Sequence, residues 1–142
     1  MNIYDKLKAE LKKVLEANNL TEESIVIHSK TLTSEEAIGI TERKDFPLLT
    51  GKEIMLQAEF KGSIGQAFTS APTVFKGKLS EILELDLEGD DHAKGLFIAS
   101  LNAIMRYLNK ADRTIHCRNQ EPELCAKDFK EALKEEYADA KI

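Results

Sequence analysis

This 142-residue chain has no tryptophan, and it holds only two cysteines, three prolines and seven glycines. So few prolines and glycines exclude collagen-like and low-complexity classes. Two cysteines cannot build a disulfide scaffold, and Cys117 and Cys125 are expected to stay reduced thiols. An excess of basic charge is also missing: the formal charge is -5, with a pI near 5.3. Nucleic acid is therefore not an expected partner, because a phosphate backbone needs a clustered basic face. No apolar run approaches the roughly 20 residues that span a bilayer, and Met1-Asn-Ile-Tyr-Asp-Lys6 has no signal-like apolar core. A cytoplasmic protein that makes no use of a membrane is the expectation. No complete catalytic or metal-binding signature is present either.

What the chain does contain is 42% hydrophobic and 32% charged residues. That balance suits one soluble domain over residues 1-142 with one core, burying roughly two thirds of its unfolded surface. Ile3, Leu7, Leu11, Val14 and Leu15 repeat at helical spacing with Lys6, Lys8, Lys12 and Lys13 opposite, predicting an amphipathic helix from Ile3 to Ala17. Four strand-like runs follow, at Ser24–Lys30, Ala37–Thr41, Glu53–Phe60 and Gly62–Thr69; in the third, Ile54, Leu56, Ala58 and Phe60 share one face. Asp45-Phe46-Pro47 and Thr50-Gly51-Lys52 supply turns, and Ser70–Gly77 reads as an irregular connection. A short helix is marked by Leu79, Ile82 and Leu83. A longer one opens at an Asp90-Asp91 cap and carries Ala93, Leu96, Phe97, Leu101, Ile104, Met105 and Leu108, too wide an apolar arc for a half-exposed helix. Gly95, Ala99, Ser100 and Ala103 let it lie close to a sheet. A last helix opens near Pro122 with Cys125, Phe129, Ala132 and Leu133 on one side. The resulting plan is α+β: an antiparallel sheet of three to four strands, helices packed on one face and the other face wet.

Between the last two helices lies Thr114–Ala126, which holds both cysteines and one of the three histidines. His116, Cys117 and Cys125 are donor types that zinc and similar cations prefer. Their spacing is poor for a self-contained site: seven residues separate the cysteines, whereas zinc knuckles use two to four. Cys125, on the apolar side of its helix, is expected in the core. Cysteine catalysis is disfavoured because neighbours such as His116 and Cys117 point apart on an extended chain. His28 and His92 could join a site only through folding. Gly62-Ser63-Ile64-Gly65 lacks a phosphate loop's lysine and following helix, and suits a bulged strand or close backbone approach. No carboxylate pair stands out as general acid and base.

Taken in order, Gly62-Ser-Ile-Gly-Gln-Ala-Phe-Thr69, Gly77-Lys-Leu-Ser-Glu-Ile82, Gly95-Leu-Phe-Ile-Ala-Ser-Leu-Asn-Ala-Ile104, His116-Cys117 and Glu121-Pro-Glu-Leu-Cys-Ala126 resemble the N-terminal domain of the heavy-metal chelation family. The resemblance covers about Ile25 to the end of the chain. It implies an enolase N-terminal-like fold followed by a Rossmann-like domain, with a site at their junction. By the same resemblance Gly62, Ser63, Gly65 and Asn102 are candidate ligand-binding residues, and His116 and Cys117 candidate ligands of a divalent transition metal. The chain stops at Ala138-Asp-Ala-Lys-Ile142, about where the Rossmann-like half would begin. The expected partner is thus a Rossmann-like domain or a second subunit, a homodimer mate included. Activity alone is not expected; the alternatives are a capping fragment of an enzyme or an interaction module with no ligand. A docked partner implies exposed apolar surface near the glycine strand, the Pro72 loop or the His116 stretch.

Overall fold

The computed structural model describes residues 1–22 and 27–140. Helix α1 (Ile3–Ala17) matches its expected bounds because both ends are chemically marked. Asn2 and Asp5 form a reciprocal capping box at the start, Asn18 closes the end, and Leu11 and Leu15 are buried.

Strands β1 (Ile27–Leu32), β2 (Ile54–Phe60), β3 (Ser63–Thr69) and β4 (Phe75–Gly77) form one antiparallel sheet in the order β3-β2-β1-β4. The α+β plan with an antiparallel sheet therefore holds. The β2–β3 hairpin turns on Lys61 and Gly62, both at positive φ (48° and 81°), the geometry that matches the twist of paired strands. Of the strand expected over Ser24–Lys30, residues 23–26 lie outside the described residues, and β1 runs on to Leu32. Strand β4 falls in the stretch expected to be irregular; its edge position beside β1 is decided by pairing that a three-residue run does not advertise.

No strand forms over Ala37–Thr41: Ala37 and Ile38 end helix α2 (Ser34–Ile38), and Gly39, Ile40 and Thr41 are irregular. Thr33 accepts from the Glu36 N–H while the Glu36 carboxylate accepts from the Thr33 N–H, and this capping box outweighs the β-branched residues beyond it. Helix α3 (Pro47–Thr50) is a single turn in the expected turn region. These elements also correct the expectation of a single core and a wet second face. Met55 points away from its strand neighbours Leu56, Ala58 and Phe60, and is buried with Leu32, Ala37 and Ile38 beneath Phe46 and Leu48. One end of the second face is thereby covered.

The main core lies on the other face. Helix α5 (Asp91–Tyr107), capped by Asp90, crosses β3 and β2, and α1 and α4 (Leu79–Glu84) close the flank. Phe60, Phe97, Ile104, Leu79 and Ile82 are fully buried, whereas Leu101, expected in the core, is half-buried. The small residues of α5 do bring it against the sheet. A Cβ on Gly65 of β3 would sit 2.2 Å from the Ala103 nitrogen and 2.5 Å from the Ala99 oxygen, so helix and strand backbones are in direct contact there.

Ser100 of α5 is completely buried and its Oγ meets no hydrogen-bond partner among the described residues. An unpaired buried hydroxyl costs about 1–3 kcal/mol, and alanine is the better helix former. Ser100→Ala is expected to leave stability unchanged or raise it by about 1 kcal/mol in urea denaturation; a loss of that size would mean the hydroxyl is paired.

Helix α6 (Glu121–Glu136) starts with Pro122 in its first turn as expected, but it has no buried residue. Cys125 is exposed rather than in the core, and Phe129 is 66% exposed. Helix α5 fills one face of the sheet and α2 covers one end of the other, and among the described residues α6 buries none of its side chains against either. No helix among the described residues is long and apolar enough to cross a membrane.

Candidate ligand site along β3

Strand β3 is an edge strand, and its free edge is met by the chain after α5. The Gln66 N–H donates to the Thr114 carbonyl at 2.9 Å, and the Thr114 hydroxyl donates to the Ile64 carbonyl at 2.7 Å. The edge is thus partly satisfied by a segment 50 residues away in sequence. Gln66 organises the rest. Its side-chain Oε1 accepts from the His116 N–H at 2.7 Å, its Nε2 donates to Gln57 Oε1 at 2.9 Å, and its carbonyl accepts from Asn102 Nδ2 at 2.9 Å. Both main-chain groups and both side-chain groups of Gln66 are therefore engaged. Sequence reasoning passed over Gln66; a glutamine flanked by small and apolar residues in a strand was the available signal.

Through Gln66, Asn102 of α5 and His116 come to line one hollow of about 300 Å³, with Met55, Phe68 and Thr114. The His116 ring meets Phe68 edge to face, with centroids 5.5 Å apart. Its Nδ1 lies 2.5 Å from the Cys117 carbonyl. A carbonyl only accepts, so Nδ1 is the donor in this contact. Gly62 and Ser63 line a second hollow of about 240 Å³ that shares Thr114 and Ile115 with the first, together with Ile64 and Arg106. Gly65 faces neither, lying under α5, and the exposed Cys117 lines neither. The candidate residues thus fall into two pairs plus two outliers.

As a metal centre the donor set is incomplete. Among the described residues no three His, Cys, Asp or Glu side chains gather as a cation would require. His116 and Cys117 could supply at most two of the four donors of a tetrahedral site, so the residues present do not hold such an ion by themselves.

The start of α6 is pinned beside the site. Arg43 reaches Asp45 through two hydrogen bonds (2.8 and 2.6 Å) and Glu123 of α6 at 3.0 Å, while its guanidinium lies 4.9 Å from the Phe46 ring centroid. The hydrogen-bonded Arg43 holds the Asp45 carboxyl below the usual carboxylate range. Nearby, the Asn119 N–H donates to the Ile38 carbonyl and Asn119 Oδ1 accepts from the Ile40 N–H. Gly39, at φ 70°, leaves room for this: a Cβ there would lie 2.1 Å from Asn119 Oδ1. Arg43, with Asp45 beside it, is thus a clasp between the α2–α3 loop and α6.

No family model matches the chain, and no curated protein or solved structure does so either.

Proposed function

We propose that this chain is a ligand- or metal-binding domain, resembling the enolase N-terminal domain and the N-terminal part of heavy-metal chelation proteins, whose site along β3 is completed by a Rossmann-like partner domain or a second subunit. One observation carries the reading. Apolar side chains stand exposed at all three places a docked partner would cover: Phe68 (51%) on the glycine strand, Val74 (73%) beyond Pro72, and Ile115 (51%) next to His116. Phe68 and Ile115 border the same hollow, while Val74 stands beside β4 at the opposite edge of the sheet; exposed apolar surface of this kind marks contact with a partner. The motif order and the antiparallel α+β plan support the enolase-like part of the proposal.

Within the site, His116 is the better donor. Metal-bound histidines characteristically donate their second ring N–H to a carbonyl or carboxylate, as His116 Nδ1 does to Cys117. Asn102 and the main chain at Gly62 and Ser63 are suited to hydrogen-bond an uncharged or anionic ligand; Gly65 contributes by packing.

The test is a titration of the purified, reduced protein with zinc or nickel, alone and with a Rossmann-like chain supplied in trans. Uptake of one ion at micromolar concentration with the partner present, weakened about tenfold or more by His116→Ala and less by Cys117→Ser, is the expected result. Absence of uptake by the wild type under both conditions would remove the metal part of the proposal. Absence of any complex between the two chains would remove the partner part.

A further inference from the structure

Helix α6 is 16 residues long, about 24 Å, and none of it is buried. At 100° per residue Pro122, Cys125, Ala126, Phe129, Ala132 and Leu133 form one stripe over the first three turns, Glu136 enters it in the last turn and Tyr137 follows as the C-cap; Phe129, Leu133 and Tyr137 are all exposed large side chains. The two edges of that stripe are opposite in charge. Glu121, Asp128 and Glu135, seven residues apart in turn, border one side. Lys130 and Lys134 border the other, with Lys127 behind them, and the acid on that edge, Glu123, is engaged by Arg43.

We propose that the occupant of this stripe is the α6 helix of a second copy of the chain, packed parallel about a two-fold axis. Symmetry selects the orientation. In a parallel two-fold pair the acidic edge of each helix faces the lysine edge of its mate, and only Glu136, in the last turn, meets its own copy; in an antiparallel pair the whole acidic edge faces acid and the lysine edge faces lysine. A partner without this matched pair of edges gains only the apolar contact. The parallel arrangement also sets the two Cys125 thiols opposite each other across the axis, whereas an antiparallel pair centred on Phe129 sets Cys125 opposite Leu133. This pairing uses a face separate from the hollows along β3, so it stands or falls independently of the metal titration.

The test combines sedimentation with crosslinking on the full chain. Wild-type protein is expected to sediment as a dimer at high micromolar concentration, with dissociation favoured by salt. Phe129→Asp and Leu133→Asp are expected to give monomers whose melting temperature and far-ultraviolet circular dichroism are nearly unchanged, since α6 adds nothing to the core. With a short bis-maleimide, Cys117→Ser protein should form a covalent dimer through Cys125, and Cys125→Ser protein should not. A wild type monomeric at every concentration would overturn the proposal, as would a dimer that survives Phe129→Asp. A dimer that crosslinks through Cys117 alone, or through Phe129→Cys but never Cys125, would overturn the parallel arrangement. An α6 stripe protected from hydrogen exchange only by a Rossmann-like chain would assign that chain, and not a second copy, as the occupant.

Discussion

Gly65→Ala is expected to destabilise the domain by about 3 kcal/mol or more, lowering the melting temperature by roughly 10 °C, because its methyl group would meet backbone and not a movable side chain. The new Cβ would approach the Ala103 nitrogen at 2.2 Å and the Ala99 oxygen at 2.5 Å, so β3 and α5 must separate. Separation also strains the Asn102 Nδ2 bond to the Gln66 carbonyl, and Gln66 holds the His116 main chain. Under the proposed binding reading, ligand or metal uptake by this variant should therefore fall together with stability. A loss of binding in Gly65→Ala would not make Gly65 a ligand contact; a melting temperature equal to wild type would show that the backbones do not touch.

Phe97→Ala is expected to cost about 3–5 kcal/mol in urea denaturation, the range for deleting a fully buried aromatic ring. Phe97 is completely buried in the cluster that joins α5 to α1, α4 and the sheet. Phe129→Ala removes the same atoms from a side chain that is 66% exposed, and should change the stability of the monomer by only about 0.5 kcal/mol or less. The contrast is the informative quantity. Similar losses for the two variants in dilute protein would mean that α6 packs on its own domain.

Several elements were legible in the residues because the chemistry that makes them is local. Helix α1 begins at the Asn2–Asp5 capping box and ends at Asn18, so its bounds follow from neighbours in sequence. The alternation of β2 and the Asp90 cap of α5 are local in the same way. Five residues hold too little periodicity to separate helix from strand at α2, where the Thr33–Glu36 box is the stronger signal. Strand β4 exists only through its pairing with β1.

The site divides along the same line. His116 and Asn102 are recognisable as polar groups in an ordered series of motifs, but their meeting depends on Gln66, whose four hydrogen-bonding groups reach strand, helix and loop at once. Cys125 shows the limit most plainly. Periodicity placed it correctly on the apolar side of α6, with Phe129 and Leu133, and packing then left that side uncovered.

The sequence by itself determined the α+β class, the antiparallel sheet, the helix faces and the close approach of a small-residue helix to the sheet. These follow from spacing and local capping, which act over a few residues. Tertiary structure alone decided which apolar faces are covered, that Met55 heads a second small core under α2, that Gln66 gathers Asn102 and His116, and that Arg43 clasps α6. Each of those outcomes is a competition for a limited amount of surface among segments far apart in the chain, and no local pattern records who wins it.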